Sequence, residues 1–239
     1  MSQSKHTGVA KRVGIIQSNY IPWKGYFDFI NAVDEFVLLD DVQFTKRDWR
    51  NRNLIKGPNG LHWLTIPIEV KGKYSQLIKD TIVSDKDWAS KHWKVISTFY
   101  QKARYFQHYR DELEGLYRGE LSNYLSEINF KFIEFFKEKL QVKTKIRFSH
   151  EFDTPADKTL RLVEICKQLQ ANVYLSGPAA KDYLNESLFN DENIEVTWMD
   201  YSGYKEYTQL FPPFQHGVSI IDLLLNMGSE SRVCLKTST

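Results

Sequence analysis

The sequence is poor in the residues that staple, punctuate or span. Two cysteines in 239 residues, Cys166 and Cys234, are too few for a disulfide scaffold or a cysteine-based zinc site, so both are expected as small buried or surface thiols. No run of 18 or more apolar residues occurs, and the first dozen residues lack the apolar centre of a secretory signal. A cytoplasmic protein without membrane insertion is therefore expected. With 12 glycines and 7 prolines, and 42% hydrophobic residues, collagen-like, low-complexity and wholly disordered classes are excluded. The six histidines lack metal-ligand spacing such as i, i+4 on one helix, and no metal is expected on them. Neither a GxSxG elbow, a P-loop nor a GxGxxG is present, which leaves nucleophilic serine catalysis without support.

What the chain does contain is a strong alternation of apolar segments. Val13–Ile16 reads as a buried strand ending at Gln17-Ser18-Asn19-Tyr20; Trp23, Tyr26, Phe27, Ile30 and Val33 then recur at helical spacing. Glu35–Leu39 is a second strand, stopping at Asp40-Asp41. The stretch Gln43–Lys56 reads as a polar, basic connection, His62–Ile68 as a third strand behind the Asn59-Gly60 turn signal, and Leu77–Val83 as a further one. Helical patterns near 85–101, 104–117 and 121–140 form an expected helical insertion or subdomain at about 85–142. Alternation resumes with a strand at 146–149, a helix at 156–170, strands at 173–176 and 194–198, and a helix near 219–227. Ser84 with Asp87, and Ser219 with Asp222, have capping-box spacing. Together these predict an α/β fold: an open, mostly parallel, Rossmann-like sheet in one domain spanning 13–239 behind a frayed tail at 1–12.

In such a sheet, ligands sit beyond the carboxyl ends of the strands. The first two strand ends would bring Gln17, Asn19, Tyr20, Asp40, Asp41 and Gln43 to one edge, with Asp40 or Asp41 free to orient a ribose, hold a metal or act as a base. Residues 1–150 carry 25 Lys/Arg against 17 Asp/Glu, whereas 151–239 carry 7 against 13. The basic excess concentrates at Lys46, Arg47, Arg50, Arg52 and Lys56, interleaved with Trp49, Asn51 and Asn53, a pattern suited to a phosphate-bearing ligand. No extended basic stripe accompanies it, so nucleic acid is not an expected partner. His216, ahead of Gly217 and the last helix, is the histidine best placed for base catalysis.

The run Gln17-Ser18-Asn19-Tyr20-Ile21-Pro22-Trp23-Lys24-Gly25-Tyr26-Phe27, with Ala32-Val33-Asp34, Leu39–Phe44 and Trp49–Asn53, resembles the WbqC-like family, as do Tyr174–Gly177, Tyr183-Leu184, Tyr207, Gln209 and Ser219–Leu224. The resemblance implies a role in bacterial surface-polysaccharide (O-antigen) biosynthesis: transfer of an acyl or aminoacyl group from a thioester, on coenzyme A or a phosphopantetheine carrier protein, to the amine of a nucleotide-linked amino sugar. Under it, Arg47, Arg50, Arg52 and Lys56 grip phosphate, Asp40, Asp41 or His216 accepts the amine proton, and Gln17, Asn19, Tyr20, Gln43, Asn53, Ser176 and Tyr207 hold substrate, with no cofactor required beyond the donor. A fainter likeness to the nucleotidyltransferase entry motif places Trp23 and Tyr26 where that motif has histidines. Nucleotidyl transfer with magnesium is one alternative; a non-catalytic sugar-nucleotide or carrier-protein binding module is the other.

Overall fold

Apolar runs bounded by polar turns become the central strands of a five-stranded parallel sheet in the computed structural model, which describes residues 10–237. In chain order the elements are β1 (Arg12–Ile16), α1 (Lys24–Asn31), β2 (Glu35–Leu38), β3 (Arg52–Gly57), β4 (Gly60–Thr65), α2 (Trp88–Tyr100), α3 (Phe106–Arg118), α4 (Leu125–Lys139), β5 (Lys145–Phe148), α5 (Lys158–Gln168), β6 (Val173–Ser176), α6 (Ser187–Asn190), β7 (Glu195–Trp198) and α7 (Ile220–Met227). The fold is α/β with an open sheet, as the alternation predicts. Among the described residues no helix is long and apolar enough to cross a membrane. The chain divides into two compact units, each assembled from several segments.

The first unit comprises the described residues up to Ile16 with Val33–Leu38 and Thr144–Asp200. It holds the parallel sheet in the order β5-β2-β1-β6-β7. Val13 pairs with Glu35 and with Tyr174, so β1 is flanked on both edges. Strands covered on both faces need apolar side chains throughout, which is why Val13, Ile15, Phe36, Val37 and Leu38 form near-continuous runs. Asp157 caps α5 by accepting the N–H groups of Thr159 and Leu160, each at 2.9 Å. Leu162, Val163, Ile165 and Cys166 make its buried stripe, and Tyr174 stacks on Phe189 at 4.9 Å.

The second unit takes in Gln17–Ala32, Leu39–Lys143 and the C-terminal segment from Tyr201. Its core is aromatic: Tyr117 packs edge-on against Phe132 at 4.9 Å, Trp93 lies between Phe106 and Tyr117, and Phe27 meets Phe136. Full burial of rings of this size contributes about 1.5–3 kcal/mol each.

Several local expectations change. The basic segment is not all connection, because Arg52–Gly57 forms β3 and pairs antiparallel with β4, Gly57 opposite Gly60. The Asn59-Gly60 signal is this hairpin's turn, with Gly60 at φ 107°, a conformation side chains resist. The strand expected at His62–Ile68 therefore lies in a two-stranded sheet of its own rather than in the parallel one. Leu77–Val83 is no strand: it makes only isolated bridges, Leu77 with Gln43, Val83 with Ile68 and Ile82 with Tyr124. Neither capping box closes. Asp87 precedes α2 without a side-chain cap, and Ser219 caps α7 through Ile221 N–H at 3.3 Å while the Asp222 carboxylate turns inward. The nearby buried hydroxyls and amide of the second unit compete more strongly for that carboxylate than the helix's own first turn.

Candidate functional site

The segments that follow β1 and β2 in the chain are tied together inside the second unit. Asp40 is fully buried and accepts the N–H of Ser18 at 2.8 Å and the hydroxyl of Ser126. Asn129 donates to Ser18 Oγ at 3.0 Å and to the Arg50 carbonyl at 2.9 Å. Burial raises the Asp40 carboxyl above its usual range, against the opposing pull of these hydrogen bonds and of Arg50. Asp40 thus anchors two loops to α4. Tyr20 is also buried, its hydroxyl within 2.9 Å of both His92 Nδ1 and Tyr117 Oη. Asn53 spends its amide on the carbonyls of Tyr20 and Ile21, both at 3.1 Å. It clamps a turn in which the buried Ile21 takes φ 37°, costly for a β-branched residue, and one that leads directly into Pro22.

Against this turn lies a cleft of about 480 Å³. Its walls are Trp23, Trp49, Tyr201 and Tyr204; Asn19 supplies an amide, and Pro22, Asn53, Gly203, His216 and Gly217 also line it. Arg50 donates to Asn19 Oδ1 at 2.5 Å. A guanidinium can only donate, so it fixes the Asn19 amide with its oxygen toward Arg50 and leaves the NH2 as the group that a ligand oxygen can meet. His216 contacts Phe214 edge-on at 4.6 Å. Its imidazole is held below the usual value by partial burial and then by the charge of Lys24, with Glu206 pulling the other way. The ring is accordingly neutral near pH 7 and able to take a proton.

Behind the aromatic wall lies Lys24, 2% exposed. Its ammonium donates to the Lys205 carbonyl at 2.9 Å and sits 5.1–5.6 Å from the ring centroids of Tyr207, Tyr204 and Phe214. Burial lowers its pKa, while Cys234, Asp28 and Glu206 oppose that shift. The segment from Tyr201 to Gly217, without helix or strand, supplies half of the cleft and is pinned by buried charge along its length. Tyr204 donates to Asp28 at 2.6 Å, Tyr207 to Asp222 at 2.7 Å, and Gln209 to Asp222 at 2.9 Å. Lys56 donates to Gln209 Oε1 at 2.9 Å and to the Pro213 carbonyl.

The spacing Trp23-Lys24-Gly25 has a steric origin. A Cβ on Gly25 would stand 2.2 Å from the Trp23 indole, so only glycine lets that ring lie over the first turn of α1 and form the cleft wall. We expect Gly25→Ala to leave the melting temperature nearly unchanged, because the better helix former offsets the local clash. Acrylamide quenching of tryptophan should rise as the indole leaves its seat; quenching identical to wild type would show that the ring does not depend on Gly25.

Of the residues singled out in the sequence, Asn19, Asn53 and His216 line this cleft. Gln17 contributes a carbonyl that accepts from Tyr26 at 3.1 Å and Arg50 at 3.3 Å. Asp41 is half-buried, and Gln43 donates to the Tyr74 carbonyl at 2.9 Å. The basic segment divides: Arg50 and Lys56 turn inward to the partners above, whereas Arg47 is exposed and Arg52 is part-exposed. Ser176 ends β6 in the first unit, where its carbonyl accepts Met199 N–H at 2.8 Å. Tyr207 is a pin of the 201–217 segment. Trp23, Tyr201, Tyr204 and Lys24 were not singled out as site residues, because a tryptophan at helical spacing and tyrosines in a loop read as core and surface. The Trp-x-Gly spacing was the one available signal.

The WbqC-like protein family matches this chain over residues 17–234. An uncharacterized protein of Mycobacterium tuberculosis, Rv1507c, is 44% identical over 221 residues, covering 92% of this chain and 96% of its own. No solved structure matches significantly.

Proposed function

The chain belongs to the WbqC-like protein family, and we propose that it is an N-acyl or N-aminoacyl transferase of bacterial surface-polysaccharide biosynthesis, acting on the amine of a nucleotide-linked amino sugar. The observation that carries this reading is the cleft itself: flat aromatic walls, one oriented amide donor and a neutral histidine, with no carboxylate in the lining. Aromatic faces suit the C–H face of a pyranose, and the Asn19 NH2 suits a ring hydroxyl or an acyl oxygen. The sugar amine attacks the thioester carbonyl, forming the C–N bond. His216 takes the amine proton as the tetrahedral adduct forms, and the C–S bond then breaks to release the thiolate, which recovers that proton. No covalent enzyme intermediate is needed, and the donor arrives as a coenzyme A or carrier-protein thioester.

Nucleotidyl transfer finds less support. Tyr26, at one of the positions where that motif has histidine, is buried and donates to the Gln17 carbonyl. Asp40, the carboxylate closest to a magnesium role, is already engaged by Ser18 and Ser126.

The test is a mass-shift screen of amino-sugar nucleotides, supplied in parallel with acyl thioesters and nucleoside triphosphates. We expect an acylated product with thioesters, and a loss of about 100-fold in kcat/KM for His216→Gln with the fold intact. Product with the triphosphate instead would establish nucleotidyl transfer. Binding without any turnover would leave a binding module.

A further inference from the structure

The outer side of Trp49 carries a second feature. Trp49 packs against Trp63 with ring centroids 5.4 Å apart, and the Arg52 guanidinium lies 4.1 Å from the Trp63 centroid. Trp63 therefore touches both the Arg52 guanidinium and Trp49, which also lines the cleft. Both tryptophans stay exposed, Trp49 at 42% and Trp63 at 41%, a large aromatic surface to leave wet without a ligand or partner. Arg52 is held a second time by donating through Nη2 to the Arg47 carbonyl at 2.5 Å. Its Nε is buried without an acceptor. The fork is thus fixed in place by stacking and one backbone bond, not by a carboxylate.

The neighbouring cations are in the same condition. Among the described residues neither Lys46, Arg47 nor Arg52 lies within 4.0 Å of a carboxylate, whereas Arg50 in the same segment meets Asp48 at 3.7 Å. Lys46 rests only over the Tyr74 ring, 5.8 Å from its centroid. Arg47 has φ 59°, a left-handed conformation uncommon for an arginine, and its carbonyl is the one that holds Arg52. A fork immobilised beforehand loses little entropy on binding an anion, and its planar donors match phosphate oxygens in pairs.

We propose that Lys46, Arg47 and Arg52, carried beside the Trp49–Trp63 pair, form a diphosphate subsite continuous with the cleft, so that a ligand ring seated against Trp49 has its diphosphate over the guanidinium groups. The ligand class is a nucleoside diphosphate or its sugar conjugate. This rests on the reading of the cleft as a sugar-nucleotide site, but it concerns binding and not transfer.

The experiment is calorimetric titration of the full chain with uridine, guanosine, cytidine and thymidine diphosphates, with inorganic pyrophosphate, and with free glucosamine. At least one nucleoside diphosphate should bind. Arg52→Lys, which keeps the charge and loses the fork, and Arg47→Gln, on an exposed side chain that leaves folding intact, should each weaken that binding about tenfold or more and leave glucosamine unaffected. Trp49→Ala should weaken both ligands. Unchanged diphosphate affinity in both arginine variants, or no binding of any diphosphate to wild type, overturns the proposal. So does tighter binding of a single-stranded oligonucleotide, which would make the tryptophan pair a nucleic-acid platform. Arginine-dependent diphosphate binding without acyl transfer would sink the transferase reading and leave this subsite standing.

Discussion

Asp222→Ala should lower stability by about 3–5 kcal/mol and abolish ligand binding in the cleft together with it. Asp222 is 1% exposed and accepts three hydrogen bonds, from Tyr100 at 2.8 Å, Tyr207 at 2.7 Å and Gln209 at 2.9 Å. Burial raises its pKa, and these three donors with the charge of Lys56 draw it back toward the ionised form. Truncation leaves two phenols and an amide without their acceptor. It also removes the negative charge nearest the buried ammonium of Lys56, which is connected to Asp222 through Gln209. In a chain of this size the loss corresponds to roughly 10 °C in melting temperature. The coupling to binding follows from Tyr207 and Gln209, which belong to the same segment as Tyr201, Tyr204 and His216 of the cleft wall. Asp222→Asn, which keeps an acceptor for Tyr207 and Gln209 but turns an NH2 toward Tyr100, should fall between. A melting temperature within about 2 °C of wild type for the alanine variant would return Asp222 to a helix-cap role. A large loss of stability with ligand affinity retained would show that the 201–217 segment holds its place without it.

The centre of the sheet was legible because β1, β2 and β6 are short, mostly apolar and separated by helical periodicity; burial on both faces writes itself into composition. The hairpin was legible only in part: the Asn59-Gly60 turn and the strand after it were read, but not that strand's partner or its separation from the parallel sheet. In β3, Arg52, Asn53 and Lys56 sit among Leu54 and Ile55, without the clean alternation or the apolar run that marks a strand. Pairing with β4, not local preference, makes this segment β. The division of the chain into units was equally hidden, because it depends on which of three separate segments pack together, and no periodicity reports that.

For the site, the polar residues after β1 part company in orientation, which position in the chain does not report. Of Gln17, Asn19 and Tyr20, only Asn19 lines the cleft, since a buried histidine and tyrosine claim the Tyr20 hydroxyl and the Gln17 carbonyl is taken by Tyr26 and Arg50. The same holds for the basic run. Charge alone cannot distinguish Lys56, which pins a loop from inside, from Arg47, which stands in solvent. That distinction rests on contacts made by Gln209 and Pro213, more than 150 residues further along the chain.

Acid should destabilise the protein through His92. Nε2 of this buried ring lies 3.2 Å from the Thr65 carbonyl, an acceptor only, so the proton resides on Nε2. Nδ1 then accepts from the Tyr20 hydroxyl at 2.9 Å, which in turn accepts from Tyr117 at 2.9 Å. A second proton on the ring, at Nδ1, obliges the Tyr20 hydroxyl to turn away from His92 and reverse its bond to Tyr117, and burial lowers the pKa from 6.5 to about 4, with the Thr65 hydrogen bond opposing and His62 assisting. In the unfolded chain the imidazole titrates near 6.5, so between about pH 6.5 and 4 the unfolded state binds a proton that the folded state refuses. Stability is therefore fully present above pH 6.5 and falls as pH drops, by about 2.5 kcal/mol between pH 7.5 and 4.5. Asp40 and Asp222, with raised pKa values, work in the opposite sense, since their folded forms take up protons first and gain stability as pH falls. Comparison with a variant isolates the histidine. Urea unfolding of wild type and His92→Gln at both pH values should give a variant that is weaker at pH 7.5 but loses about 2.5 kcal/mol less on acidification. Parallel losses in the two proteins would mean that His92 is protonated in the folded state and that its network tolerates the charge.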